Sequence, residues 1–340
     1  MLNEMLQDIE NAPTLYSPSP FWRELNATHI AQLEQWGISQ FKRTVNTKYF
    51  NWTILGILAH QLLPVGLHWL RHPDFSIFGA SFPCYNEPRG KGITAFNPLS
   101  AFIYKIYVGM LANWTRKQDK DGLLKTIEEP LVGNPWRVQY RGNWISQDLC
   151  NSIYEFYSAL NFQAPKQVDF NIAELGAGYG RLAHVFLKTM PKATYTIIDI
   201  PPALFVAQEY LSTIFPEEKV FKYRPFSSFD EVKAEYESSR IRFLMAHQIE
   251  LLPPKQFDLF LNISSLHEMT REQIDNYFQQ IDRTTKGSFY SKQWRQSRAG
   301  RENNFVLKEG EYPIPKTWQE IWHRQHPLQQ MFFDALYQVQ

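Results

Sequence analysis

The stretch Phe170–Arg181, FNIAELGAGYGR, decides how this chain folds. An apolar run ends in an acid, Glu174, and Gly176, Gly178 and Gly180 then alternate ahead of a helix-like segment. Strand, glycine turn and helix in this order are the layout of a dinucleotide- or nucleoside-binding crossover. The glycines let the backbone turn tightly and approach a ligand where a Cβ would collide. A nicotinamide fingerprint starting at Gly176 needs a small residue at position 181, and Arg181 stands there. An acid two residues before the first glycine also repels a pyrophosphate. The turn therefore suits a nucleoside ligand without phosphate.

The next strand points the same way. Thr194–Ile200, TYTIIDI, is a β-branched run with the pattern of a buried parallel strand. Its acid, Asp199, follows the glycines by about 20 residues, the spacing at which an acid takes the ribose hydroxyls of an adenosine ligand. A carboxylate accepts two hydrogen bonds from a diol, so the residue type fits the task. S-adenosylmethionine, which carries an ammonium and a sulfonium but no phosphate, is the expected cofactor. The competing expectation is an ordinary βα turn with Asp199 as a helix N-cap.

The rest of the chain alternates from about residue 165. Strands are expected at Ile172–Leu175, Tyr195–Asp199, Arg242–Ala246, Phe257–Ile263 and Ser288–Trp294, with Met331–Val339 returning to the sheet edge. Helices are expected at Arg181–Met190, Ala203–Thr213 and Arg271–Arg283. Such alternation implies an α/β fold, a doubly wound, mostly parallel Rossmann-like sheet with ligands beyond the carboxyl ends of its strands. Residues 1–145 read as a helical, aromatic-rich accessory or lid region and 146–340 as the catalytic domain. In the former, Thr28–Asn46 and Ala101–Trp114 have helical spacing, Phe82–Pro98 is a Gly/Pro/Asn-rich loop and Glu128–Gly142 a loop with a short strand. Ser146 is placed as the N-cap of a helix over Ser146–Leu160.

Composition narrows the class. The chain has 340 residues, a net charge of +1 and 20% charged residues, without a basic run interleaved with aromatics, so no nucleic-acid partner is expected. Two cysteines, Cys84 and Cys150, rule out a disulfide framework and suit a reducing cytoplasm. The acidic start MLNEMLQDIENAPTL lacks a signal-peptide pattern. Trp52–Leu70 is interrupted by His60, Gln61, Pro64 and His68, which favours a buried bent helix over a membrane span. His323 and His326 stand without further ligands at zinc spacing and read as surface residues.

At these motifs the chain resembles the class I S-adenosylmethionine-dependent methyltransferases, and more narrowly the bacterial sugar O-methyltransferase family. The resemblance covers roughly residues 125–295 and rests on EEPLVGNPWRVQYRGNWIS, ELGAGYGRLAHVFL, TYTIIDIPPAL and FDLFLNISSLHEM. It implies a small-molecule acceptor with a free hydroxyl, a sugar or sugar-like one; a polyketide or other natural-product alcohol, or a silent binding scaffold, are the alternatives. A homodimer is a further expectation. It also implies that Glu174, Gly176, Gly178 and Gly180 hold the methionine end and Asp199 the ribose. Where the family commonly has an acid for the adenine, this chain has His247 and Gln248, and Gln248 retains an acceptor carbonyl.

Transfer to oxygen requires alignment of acceptor, methyl and sulfur, and a base for the hydroxyl proton. The stretch after FDLFLNI offers Asn262 on the cofactor side, then Ser264, Ser265, His267 and Glu268. His267 is the expected base, titrating near neutrality as an unperturbed imidazole does. Its competing role is structural. Glu268 is the second catalytic candidate. No acidic pair follows Asn262, so transfer without a metal is expected.

Overall fold

The computed structural model describes residues 1–44, 61–81, 98–163, 168–297 and 305–340. Residues 82–97 of the loop expected at Phe82–Pro98, residues 52–60 of Trp52–Leu70, and Cys84 lie outside the described residues. Packing groups the chain into two units. One comprises Met1–Ala27, Pro165–His326 and Met331–Gln340; the other comprises Thr28–Ala164 and Pro327–Gln330.

The second unit is mainly helical. It holds most of α2 (Pro20–Trp36), then α3 (Phe41–Thr44), α4 (Leu62–Arg71), α5 (Pro98–Arg116), α6 (Leu123–Thr126) and α7 (Gln147–Ala159). Gly37, at φ 70°, separates α2 from the short turn leading to α3, where a continuous helix over Thr28–Asn46 was expected. A hairpin of β1 (Val138–Tyr140) and β2 (Asn143–Ile145) turns on Arg141 and Gly142, both at positive φ, as a two-residue turn demands. Ser146 caps α7, accepting the Leu149 N–H at 3.0 Å.

The first unit is built on an eight-stranded sheet. Its strands are β3 (Phe170–Leu175), β4 (Ala193–Asp199), β5 (Val220–Phe221), β6 (Ile241–Met245), β7 (Phe257–Ile263), β8 (Thr285–Trp294), β9 (Gln319–Gln325) and β10 (Phe332–Gln338). The order is β5-β6-β4-β3-β7-β8-β10-β9. The pairs from β5 to β8 are parallel and both pairs of β10 are antiparallel. Helices α8 (Arg181–Thr189), α9 (Ala203–Ile214), α10 (Lys233–Ser238) and α11 (Arg271–Thr284) join the strands. This is the doubly wound, mostly parallel Rossmann-like sheet expected from the alternation. The central strands are buried on both faces, as their near-continuous apolar sequences require.

Strands β5 and β9 were not among those expected, and the place of the last strand differs. The last strand was expected at the sheet edge, but β10 lies between β8 and β9, and β9 holds the edge. Strand β9, QEIWHRQ, is polar and largely exposed, so no apolar alternation marks it. Charged residues on an edge strand also discourage pairing with another chain. In β10, by contrast, FFDALYQ is buried almost throughout. Among the described residues no helix is long and apolar enough to cross a membrane.

The N-terminal segment belongs to this same unit. Helix α1 (Leu2–Asn11), a turn at Thr14–Tyr16 and the first turns of α2 fold onto the carboxyl side of the sheet. Gln273 Nε2 donates to the carbonyls of Leu15 and Ser17 at 2.9 and 2.8 Å. Tyr16 donates to Glu250 Oε1 at 2.5 Å, and Asn26 Nδ2 donates to the Pro201 carbonyl at 2.9 Å.

Candidate functional site

The glycine turn runs from the end of β3 into α8. Gly176, Gly178 and Gly180 sit at φ 69°, 60° and 82°, the left-handed region that side chains with a Cβ enter at a cost. Two of the three are also packing requirements. A Cβ on Gly176 would overlap Ser265, and one on Gly180 would stand 2.9 Å from the Leu211 side chain. Gly180 is the N-cap of α8, and the N–H groups of Gly176, Gly178 and Gly180 donate to the Ile198 carbonyl, Asp199 Oδ2 and the Ala177 carbonyl, which fixes the turn at the carboxyl edge of the sheet.

Asp199 ends β4 beside this turn. Its Oδ2 accepts the Gly178 N–H at 3.0 Å and its Oδ1 accepts the Ile200 N–H at 2.7 Å. It is not a helix N-cap; Pro202 holds that position for α9. Two backbone donors are its hydrogen-bond partners, and it is 8% exposed. Burial pushes its carboxyl up to about 7, and the two N–H donors only partly offset this. The result is a buried acid with spare lone pairs and, among the described residues, no cation paired with it. A ligand offering hydroxyl donors fits such an acid; a phosphate does not.

Glu174 lies one pleat back from the turn. It is buried, and its Oε2 accepts the Tyr195 hydroxyl at 2.6 Å. The structure therefore ties this carboxylate into the contact between β3 and β4.

The residues after β6 are placed differently from one another. Gln248 is fully buried; its Oε1 accepts the Met245 N–H at 2.8 Å and its Nε2 donates to the Arg224 carbonyl at 2.9 Å. Both ends of this amide hold the loop. His247 is mostly buried: its Nε2 lies 3.5 Å from Asp8 Oδ2, and the Tyr16 ring meets it edge-on. Burial lowers its pKa first, with Asp8 acting in the opposite direction.

The loop after β7 carries a closed polar chain. Asn262 Nδ2 donates to the Leu175 carbonyl at 2.9 Å and to Ser265 Oγ at 2.6 Å. Its Oδ1 accepts from Gln293 Nε2 at 2.5 Å, and that same nitrogen reaches the Asn262 carbonyl at 3.2 Å. These backbone anchors fix which way both amides point. Gln293 Oε1 then faces His267 Nδ1 at 3.2 Å, so Nδ1 carries the hydrogen. The other ring nitrogen, Nε2, lies 3.4 Å from Glu268 Oε1. Glu268 Oε2 in turn accepts the Trp22 indole N–H at 3.0 Å.

Sequence reasoning placed His267 as an imidazole of ordinary pKa. The fold changes that: His267 is 1% exposed, and burial lowers its pKa to about 4 against a smaller upward pull from Gln293. At neutral pH the ring is uncharged, with its Nε2 lone pair directed at a carboxylate. The arrangement can take up one proton between the two. Trp22, Gln293 and Tyr312 were not foreseen. None belongs to a local motif, and Gln293 gains its role only from the parallel pairing of β7 with β8. The Tyr312 hydroxyl is buried without a hydrogen-bond partner among the described residues, and the charge of Glu268 adds to the burial that raises its pKa.

Elsewhere, His323 pairs with Glu309 at 3.0 Å. His326, expected at the surface, is buried and its pKa lies well below the usual value. Cys150 is a free, buried thiol pushed upward by burial. Among the described residues no group of three or more His, Cys, Asp or Glu side chains could hold a metal ion.

No protein-family model matches the chain, and no curated protein matches it. Solved structures with a similar fold include the mitomycin 7-O-methyltransferase MmcR, at 13% identity over 51% of this chain and 49% of that one, with a TM-score of 0.35. A SAM-dependent methyltransferase from Aquifex aeolicus is 12% identical over 54% of this chain and 89% of that one, with a TM-score of 0.37. An S-adenosylmethionine-dependent methyltransferase from Mesorhizobium loti is 14% identical over 54% and 96%, with a TM-score of 0.36. The matched part thus spans about half the length of the first of these chains and most of the other two. All three scores lie below 0.5, and the fold assignment rests on the strand order itself.

Proposed function

We propose that this chain is an S-adenosylmethionine-dependent methyltransferase that moves a methyl group to a hydroxyl of a small molecule. The observation that carries this is Asp199: a buried carboxylate at the carboxyl end of β4, held only by backbone N–H groups beside the glycine turn. Asp199 would take the ribose hydroxyls. The turn at Gly176, Gly178 and Gly180 would take the methionine end, with Glu174 supplying negative charge behind it and Asn262 holding the turn in place through the Leu175 carbonyl. When bound, S-adenosylmethionine supplies an activated methyl on sulfur. Gln248 supports the adenine side through the backbone it holds, and His247 borders it.

The His267–Glu268 pair is proposed to receive the acceptor's hydroxyl proton. The hydrogen on Nδ1 leaves Nε2 as the basic nitrogen, and Glu268 stabilises the proton once it arrives. Both residues are at most 2% exposed, so an acceptor reaches them only when part of their surroundings moves. The same burial favours a second role, in which the pair only holds the loop after β7. The kinetics of His267→Ala separate the two. A metal-independent transfer and a sugar-like acceptor complete the proposal; the acceptor class comes from the family resemblance.

Calorimetry with S-adenosylmethionine, S-adenosylhomocysteine and NAD tests the cofactor. Both adenosyl ligands should bind and NAD should not. NAD binding without response to the other two overturns the proposal. With an acceptor in hand, chelators should leave the rate unchanged.

A further inference from the structure

Glu268 is held from two sides by groups remote from each other in sequence. One oxygen faces His267 Nε2 at 3.4 Å, and the other accepts the Trp22 indole N–H at 3.0 Å. Trp22 lies in the first turns of α2, and that segment is anchored on either side of it. On one side are the Gln273 bonds to Leu15 and Ser17 and the bond from Asn276 Nδ2 to the Tyr16 hydroxyl at 2.9 Å. On the other, Asn26 holds the Pro201 carbonyl, two residues after Asp199. The indole is thus delivered to Glu268 by a fixed stretch of chain.

An indole N–H only donates. Donation to a carboxylate favours its ionised form over the protonated one, and away from water such a bond is strong. The Trp22 bond therefore favours the ionised form of Glu268, whose other oxygen faces His267 Nε2 across 3.4 Å. Groups from other elements also face the pair. Strand β8 contributes Gln293, against Nδ1, and the Trp294 ring, 5.6 Å from the imidazole. Strand β7 acts through Asn262. Tyr312 feels the charge of Glu268 and, raised by burial first and by that charge second, stays neutral.

We propose that Trp22 is a positioning residue, whose indole N–H sets the proton affinity of the His267–Glu268 pair. Its relevance to catalysis rests on the acid–base role given to that pair above. The titration itself does not depend on it.

The test is a pH titration by NMR of the full-length chain labelled with ¹⁵N in histidine and tryptophan. The Trp22 indole proton should move with pH at the same midpoint as the His267 ring nitrogens. Trp22→Phe, which keeps an aromatic ring but removes the N–H, should raise that midpoint by about one to two pH units, the equivalent of losing a hydrogen bond to a buried charge. An indole resonance that ignores the His267 titration overturns the proposal, as does an unmoved midpoint in the variant. Should Trp22→Phe fail to fold, co-titration in the wild-type chain decides alone. Absence of S-adenosylmethionine binding would be seen separately, by calorimetry, and would sink the methyltransferase proposal while leaving this one standing.

Discussion

Asp199 and Glu268 are both buried acids at the carboxyl edge of one sheet, yet they are held in opposite ways. Asp199 has two backbone N–H donors and, among the described residues, no ion pair. Glu268 sits in a chain of side chains, from Trp22 through His267 and Gln293 to Asn262. Backbone donors are cheap to place and leave lone pairs free for a ligand. A side-chain network costs conformational entropy but fixes tautomer and direction, which proton transfer needs. In the proposed function, the contrast separates a position for binding from one for chemistry.

The sharpest way to break this contrast is at His267. His267→Ala should lower kcat by roughly 10²–10⁴-fold if the imidazole takes the acceptor proton, with cofactor affinity nearly unchanged. The wild-type rate should rise with pH through about 4 and be flat near neutrality, because burial leaves the ring uncharged above that pH. An inflection at pH 6–7.5, as an exposed imidazole gives, would show a different base. Unchanged kcat in a folded variant would make His267 structural.

Asp199→Ala should weaken cofactor binding by about 1–3 kcal/mol, the cost of leaving ligand donors unpaired, while kcat at saturation changes less. Calorimetry reads this directly. Equal affinity in a folded variant would place the ribose elsewhere.

Gly180→Ala forces a Cβ into φ 82° and against Leu211. A loss of about 1–2 kcal/mol in stability is expected, read as a lower midpoint in denaturant. A neutral substitution would show that the turn is freer than its packing suggests.

The smallest expected effect is a slope with pH. Asp199 has its carboxyl raised to about 7 in the folded chain, above its unfolded value, so the folded state holds the extra proton between roughly pH 4 and 7. Stability from this group is present below that window and lost as pH rises through it. Cofactor affinity should run the other way, improving as pH rises through about 7, since the carboxylate accepts hydroxyl donors better than the acid. Asp199→Asn should flatten both slopes. Slopes that persist in the variant would belong to another group.

The order of strands and helices was legible in the chain because buried parallel strands carry continuous apolar runs. FDLFLNI and TYTIIDI could be bounded almost to the residue. Strand β9 was not, because an exposed edge needs no apolar pattern, and the insertion of β10 beside β8 is a matter of pairing rather than local composition. The site divides along the same line. Glu174, the three glycines and Asp199 declare themselves by spacing along one crossover, where sequence distance and spatial distance are nearly the same. His267 and Glu268 were visible as residue types, but their state was not. Burial moved the imidazole away from neutrality, strand pairing brought Gln293 to its Nδ1, and a helix more than two hundred residues earlier supplied Trp22. Local geometry follows from the order of residues. Protonation depends on what surrounds a group in three dimensions, and only the tertiary structure decides that.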